Sequence, residues 1–342
     1  MEAREDAEER QAYLDIGLTI QEIQAKGYAN LDVDVPHFVM VGIQSQGKTT
    51  MLNIFAGRLI AGGMADNCGT MRAVVYTFKT STKVARSLSL GAGTAVEKFD
   101  SDDALFRRVD SIMLPLQRAG RYDAEPISIT VTGPTCFSCV VEDLPGLPLL
   151  RDELNADNYD QVKAIISERM AEPHVVPIVV QLVDQVADPS KVVQQMRLIR
   201  NAMDVPEEVQ HRSLFVLNGL NVLTMNVEEK LDAVVQALQD AGFDRKNLCV
   251  TCLKWELMQT PPTQEDHNNQ YFADFCANEA EQVRLFVARN HLPKGRFLLG
   301  CGEVKRLLEE KVVASSSNKR SRPITCSIRT AKAMSRPAHA LL

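Results

Sequence analysis

The chain of 342 residues is long enough for one large domain or two smaller ones. Its composition, 45% hydrophobic and 24% charged, is typical of a globular protein with a sizeable core. The net charge of −6 gives no indication of a nucleic-acid partner. No apolar run approaches the roughly 20 residues of a transmembrane helix, and the acidic start MEAREDAEERQ is unlike a secretory signal. We therefore expect a cytoplasmic protein.

The first predicted element is an amphipathic helix from Arg4 to Ala25. Its apolar residues recur at spacings typical of one helical face: Tyr13, Ile16, Ile20 and Ile23. A lone helix cannot bury such a stripe, so we expect it to pack on another helix of the chain.

A glycine loop follows the first predicted strand, Phe38 to Val41, and a helical pattern follows the loop. The loop fits G-x-x-x-x-G-K-[ST], in which backbone N–H groups surround phosphate oxygens. Lys48 can reach the β- and γ-phosphates, and the Thr49 hydroxyl can bind Mg²⁺. The predicted phosphate-binding residues are Gly42, Ile43, Gln44, Ser45, Gln46, Gly47, Lys48, Thr49 and Thr50. The alternative is a glycine turn in an ordinary βα unit.

Two further segments fit the phosphate end of a nucleotide site. Asp143-Leu144-Pro145-Gly146 follows a predicted strand, Cys136 to Val141, so Asp143 can hold a metal through water and the Gly146 N–H can meet a γ-phosphate. Thr70 ends a glycine-rich loop just before a predicted strand, Ala73 to Phe78. That loop is either a nucleotide-sensing segment with an oxygen on Mg²⁺ or an ordinary surface loop.

Strand and helix patterns alternate along most of the chain. Predicted strands cover Ile127 to Val131, Val175 to Val183, Ser213 to Leu217 and Asn247 to Leu253. Predicted helices cover Ser101 to Met113, ending before Pro115, then Asp188 to Met203 and Val227 to Ala241. This alternation predicts an α/β fold with a doubly wound, mostly parallel sheet and ligand loops at the carboxyl ends of its strands.

Two cysteine pairs have the CxxC spacing of zinc ligands, Cys136/Cys139 and Cys249/Cys252. Each pair lies in a β-like run, where residues three apart point to opposite faces. We therefore favour buried strand thiols over a metal site.

The last part of the chain is predicted to form two helices, Phe275 to Asn290 and Gly302 to Val313, followed by a basic tail. The second helix carries the apolar residues Val304, Leu307, Leu308 and Val312, a stripe that suits the N-terminal helix. The tail, residues 314–342, is predicted to be disordered, and contact with anionic lipid is the alternative. The predicted units are 1–30, 31–268, 269–313 and 314–342.

With these motifs in place, the chain resembles the GTPase domain of the dynamin family. The resemblance rests on the run from Leu31 to Thr49 with Gln44-Ser45 inside the loop, on Thr70, and on Asp143 to Gly146. It implies a sheet of the phosphate-loop GTPase type over residues 31–268. It also implies a small helical bundle formed by the N-terminal and C-terminal helices.

The resemblance implies Mg²⁺-dependent hydrolysis of GTP to GDP and phosphate. Gln44 would orient the attacking water, and Ser45 would help to position a monovalent cation, Na⁺ or K⁺. The implied catalytic residues are Gln44, Ser45, Lys48, Thr70 and Gly146, and the implied metal ligands are Thr49, Thr70 and Asp143.

The implied partners are a second GTPase domain, which would form a homodimer across the nucleotide, and full-length dynamin relatives. The implied cellular roles are membrane remodelling, organelle fission such as mitochondrial fission, and peripheral association with membranes or microtubules. Family members continue into a long helical stalk, whereas this sequence continues into its basic tail.

The sequence departs from the family where the base is read. Asn218-Gly219-Leu220-Asn221 stands in place of [TN]-K-x-D, and Thr251 to Lys254 lacks the Asn-Arg-Ser pattern, although Lys254 stays a candidate nucleotide contact. Asn221 sets an amide donor against a guanine donor, which costs about 1–3 kcal/mol. Guanine affinity should therefore fall about ten- to a hundredfold, and a base with a carbonyl there, such as xanthine, would suit Asn221 better.

Three functions stay open at this point. The first is a GTPase of dynamin type. The second is a nucleotide-binding regulatory protein that hydrolyses poorly and has degraded guanine recognition. The third is a phosphate-loop enzyme that uses ATP or another nucleotide.

Overall fold

The computed structural model describes the chain in eleven ranges, and all structural statements below concern these residues. The ranges are 37–43, 47–57, 70–91, 94–147, 156–171, 175–182, 213–219, 226–240, 245–251, 279–292 and 298–317. Several predictions therefore lie outside the described residues. They concern the N-terminal helix, Gln44 to Gln46, the helix 188–203, Leu220, Asn221, Cys252, Lys254 and residues 318–342 of the tail.

The described residues form strands and helices in alternation. The strands are β1 (His37–Val41), β2 (Arg72–Thr80), β3 (Ala85–Ser89), β4 (Glu97–Lys98), β5 (Asp123–Gly133), β6 (Cys139–Asp143), β7 (Val175–Leu182), β8 (Leu214–Asn218), β9 (Leu248–Val250) and β10 (Leu298–Leu299). The helices are α1 (Lys48–Ala56), α2 (Asp102–Ala119), α3 (Ala156–Ala171), α4 (Val227–Asp240), α5 (279–289) and α6 (Cys301–Ser317), with a 3₁₀ turn at Arg245–Asn247.

The ten strands form one sheet in the order β10-β9-β8-β7-β1-β6-β2-β5-β3-β4. All pairings from β10 to β6 are parallel, and so is the pairing of β2 with β5. The β2–β6, β3–β5 and β3–β4 pairings are antiparallel. The predicted α/β class with a mostly parallel sheet is therefore confirmed, whereas the antiparallel part was not predicted.

Apolar residues cover both faces of the central strands, as a buried parallel sheet requires. Successive residues of β1 point to opposite faces, so Phe38 and Met40 join one core cluster and Val39 and Val41 join another. The first cluster includes residues of α1, α2 and α6, and the second includes residues of α3 and α4. Helices on both faces are compatible with the predicted doubly wound arrangement.

Helix α2 is longer than its sequence predicts. Ser101 is the N-cap as predicted, since its hydroxyl accepts a hydrogen bond from Ala104 N at 3.1 Å. The helix continues through Pro115 and ends at Gly120, which has a φ of 60°. Proline removes one backbone hydrogen bond. Leu116, the next residue, still packs against the core.

The prediction that Cys136 and Cys139 lie in one strand is wrong. Strand β6 begins at Cys139, so Cys136 precedes the strand, and both side chains belong to the same core cluster. The prediction of buried thiols is confirmed for Cys136, Cys139 and Cys249, which are all free and buried. Burial raises the pKa of the Cys139 thiol, which favours the neutral, unreactive form.

Helix α6 extends to Ser317, so the predicted disorder is wrong for residues 314–317, since extending an existing helix adds a backbone hydrogen bond per residue. The helix carries the predicted apolar stripe. Val304, Leu307 and Leu308 are buried in the cluster that also holds the α1 side chains. The pairing of this stripe with the N-terminal helix stays a prediction. No helix among the described residues is both long enough and apolar enough to cross a membrane.

Candidate functional site

The candidate site lies at the carboxyl end of β1. Strand β1 is paired with β6 on one side and with β7 on the other, and all three run parallel. The chain leaves β1 for α1 on one face of the sheet, and it leaves β6 for α3 on the other face. In sheets of this kind, ligands bind where such connections diverge, beyond the carboxyl ends of the strands.

Neighbouring atoms leave no room for a side chain at Gly42 or Gly47, the two glycines of the loop. A side chain at Gly42 would collide with the backbone carbonyl of Val180 in β7. Gly47 has a φ of +94°, and a Cβ there would lie 2.5 Å from the Asn218 amide nitrogen. The loop can therefore approach β7 and β8 only with glycine at these two positions.

Lys48 is the first residue of α1, and its ammonium group is turned back into the loop. The side chain is 6% exposed, and Nζ donates to the carbonyl oxygens of Gly42 at 3.3 Å and Ile43 at 3.0 Å. Gly47 caps the helix without a side-chain hydrogen bond, and the first turn holds no acidic residue. A buried cation and a helix N-terminus therefore meet at this point, which favours an anion.

Asp143 ends β6 and gathers two threonine hydroxyls. It is 2% exposed, and its Oδ2 accepts from Thr49 Oγ1 at 3.4 Å and from Thr70 Oγ1 at 3.1 Å. Its Oδ1 is buried and has no hydrogen-bond partner among the described residues. Burial raises the pKa of the carboxyl group, an effect that Lys48 and the two hydroxyls oppose. A buried carboxylate oxygen without a partner is costly, so this geometry suits a bound cation.

Asn218, the last residue of β8, links the end of β8 to the end of β9. Its Oδ1 accepts from Gly219 N at 2.8 Å and from Thr251 Oγ1 at 3.4 Å. Thr251 is fully buried. The sequence places it in the segment that stands for the Asn-Arg-Ser pattern, but its contact with Asn218 was not predicted. Gly219 has a φ of +85°, which a residue with a side chain adopts only with strain.

The structure brings together most of the predicted phosphate-end residues that it describes. Gly42, Ile43, Gly47, Lys48, Thr49, Thr70 and Asp143 converge within the contacts given above. Thr50 is buried on α1, and Leu144, Pro145 and Gly146 are buried just after β6. The Leu144 side chain belongs to the apolar core, so it offers no polar contact to a ligand. Leu147 N donates to Gly42 O at 3.1 Å, which ties this segment to the loop.

The described ranges contain no group of three or more His, Cys, Asp and Glu side chains that could hold a metal by themselves. Asp143 is thus the acidic member of a site whose other candidate ligands are hydroxyls. A scan against known protein families finds no match to the chain, and a search among characterised proteins also finds none.

Proposed function

We propose that the chain is a Mg²⁺-dependent nucleotide hydrolase of dynamin type, which hydrolyses GTP to GDP and phosphate. The observation that carries the proposal is the buried Oδ1 of Asp143, which no described residue pairs, beside the Thr49 and Thr70 hydroxyls. Lys48 and the N-terminus of α1 lie at the same end of the sheet. A metal–triphosphate requires a site that binds a hard cation and an anionic phosphate next to each other.

Mg²⁺ fits these residues by chemistry. It prefers oxygen ligands and is commonly held by one or two carboxylates together with substrate phosphates and water. One carboxylate and two hydroxyls are therefore sufficient protein ligands when the nucleotide supplies the remaining oxygens. When bound, Mg²⁺ would neutralise charge on the β- and γ-phosphates.

The remaining roles follow from the residues of the chain. Lys48 would exchange its two loop carbonyls for phosphate oxygens, and the Gly146 N–H would donate to the γ-phosphate. Gln44 would orient the attacking water, and Ser45 would help to hold Na⁺ or K⁺. The roles of Gln44 and Ser45 rest on the motif resemblance alone.

The cellular part of the proposal also rests on the motif resemblance. It comprises a homodimer of GTPase domains, association with full-length dynamin relatives, a cytoplasmic location at the periphery of organelle membranes or microtubules, and a role in membrane remodelling such as mitochondrial fission. Dimerisation across the nucleotide predicts that turnover per molecule rises with protein concentration.

A binding titration tests the nucleotide site. Fluorescently labelled GTP is titrated into the purified chain with Mg²⁺, using wild type, Lys48→Ala and, as matched control, Lys83→Ala, an exposed lysine on the turn before β3. We expect binding by wild type and by Lys83→Ala but none by Lys48→Ala. Equal binding by all three proteins would contradict the proposal.

A second function, nucleotide binding with little hydrolysis, is favoured by the base end of the site. Gly219 offers no aliphatic stem to cover a base, and the Asn218 oxygen is already bonded to Gly219 N and Thr251. Binding of labelled nucleotide without phosphate release would support this regulatory function and reject the enzyme. A clear preference for ATP would reject both and favour the third function.

A further inference from the structure

Arg72 is a buried arginine at the start of β2, two residues after the candidate metal ligand Thr70. It is 8% exposed. Its Nε donates to the backbone carbonyl of Glu125 in β5, and its Nη2 donates to the carbonyl of Leu90 at 3.2 Å. One side chain thus joins the start of β2 to β5 and to the end of β3.

Two carboxylates complete the surroundings of the guanidinium group. Nη1 lies 3.4 Å from Asp123 Oδ2, and Nη2 lies 3.2 Å from Glu125 Oε2. The backbone supports the same contact, since Asp123 N donates to Met71 O at 3.1 Å. The β2–β5 register shifts between Arg72 and Val74, an irregularity that leaves Arg72 opposite Asp123. Charge and geometry both fix Arg72 at this position.

The fixed position of Arg72 limits where Thr70 can lie. Met71, the residue between them, is itself 5% exposed and packed in the core. Thr70 therefore extends from an anchored pair of residues, with its hydroxyl 3.1 Å from Asp143 Oδ2. Since Arg72 touches neither Thr70 nor Asp143 in any described contact, its influence passes through the backbone.

We propose that Arg72 is a positioning residue for the metal site, which holds the Thr70 hydroxyl against Asp143. The inference rests on the proposed function, because it assigns Thr70 to the metal. Loss of Arg72 should weaken the metal-dependent part of nucleotide binding and spare the metal-independent part, which Lys48 and the loop provide. Residues that orient metal ligands typically change metal affinity about 10- to 100-fold when mutated.

The test separates these two parts of binding. A fluorescent, non-hydrolysable GTP analogue is titrated into the full chain in EDTA and in saturating Mn²⁺, and Mn²⁺ is then titrated at fixed analogue. The variants are Arg72→Gln and Arg72→Lys, and Asp123→Asn serves as a milder change that keeps the backbone contact. Arg108→Gln is the matched control, because Arg108 also binds a carboxylate through two nitrogens, that of Glu97 on β4.

We expect the Mn²⁺ concentration for half-maximal binding to rise about tenfold in Arg72→Gln, with affinity in EDTA within about twofold of wild type. Arg72→Lys and Asp123→Asn should shift in the same direction by less, and Arg108→Gln should match wild type. An unchanged Mn²⁺ requirement in Arg72→Gln, or an equal loss with and without metal, would overturn the inference and leave the proposed function standing. Wild type without metal-dependent binding would overturn both. If Arg72→Gln fails to fold, Asp123→Asn decides on the same criterion.

Discussion

Replacing Asp143 by Asn should stabilise the ligand-free protein and weaken its binding of metal–nucleotide. The carboxylate is 2% exposed, and Oδ1 has no hydrogen-bond partner in the part of the chain that the structure describes. An unsatisfied buried polar group costs about 1–3 kcal/mol, more when charged. The neutral amide keeps an acceptor for Thr49 and Thr70, although it loses the attraction of Lys48. We therefore expect a gain of about 1 kcal/mol, which raises the Tm by about 2 °C in a chain of this size.

Asp143→Asn should be more stable than wild type without nucleotide and less stable than wild type with it. A ligand at a hundred times its Kd stabilises the folded state by about 2.7 kcal/mol. Wild type should gain this amount with Mg²⁺ and a non-hydrolysable GTP analogue, whereas Asp143→Asn should gain much less. Differential scanning calorimetry of both proteins, with and without the ligand, measures the reversal directly.

The stability of the ligand-free protein should depend on pH through Asp143. Burial raises the pKa of Asp143 in the folded state above its unfolded value. The folded state therefore holds the proton more tightly, and ligand-free stability is lost as the pH rises from the unfolded pKa toward the folded one. Asp143→Asn should lack this component, so its advantage over wild type should shrink at acidic pH.

Asp102 provides the matched control, because it is also a buried aspartate, 3% exposed. Its carboxylate pairs with Arg86, so Asp102→Asn should destabilise the protein with and without nucleotide. Removing one member of a buried ion pair costs about 3–5 kcal/mol. If Asp143→Asn destabilises ligand-free protein as Asp102→Asn does, Asp143 is a structural residue and the reasoning fails.

Two further substitutions test the loop and the base end. Gly47→Ala should lower the free energy of unfolding by about 1–3 kcal/mol and weaken nucleotide binding, because the new Cβ meets Asn218. Gly120→Ala is the control, since Gly120 also has a positive φ but has open space around it, and it should leave binding unchanged in the same titration. Equal effects on binding would show that the contact with Asn218 is unimportant. Asn221→Asp should tighten GTP about ten- to a hundredfold and weaken XTP. An unchanged ratio of GTP to XTP affinity would mean that Asn221 does not read the base.

The convergence of Lys48, Thr49 and Asp143 at one end of the sheet could be predicted because its signals are local. A glycine loop between an apolar strand and a helix is visible in consecutive residues, and so is Asp143 at the end of an apolar strand. The continuous apolar run of β7 likewise indicates a strand buried on both faces. These features need no knowledge of distant contacts, so residue types and spacing were sufficient.

The remaining features depend on partners that are distant in the sequence. Strand β3 buries only Arg86 and Leu88, so its apolar signal is too weak to predict an antiparallel partner of β5. The proposed role of Arg72 depends on its register with Asp123, beside an irregularity in the β2–β5 pairing that the sequence does not reveal. The unpaired oxygen of Asp143 arises from tertiary packing, which spacing alone cannot indicate.

The central claim is that the chain hydrolyses GTP in a metal-dependent site. The most direct test is the rate of phosphate release from GTP with Mg²⁺, measured over a range of protein concentrations beside EDTA and Lys48→Ala controls. We expect phosphate release that needs Mg²⁺ and Lys48 and whose rate per molecule rises with protein concentration. Nucleotide binding without phosphate release, or release that is equal in Lys48→Ala, would contradict the central claim.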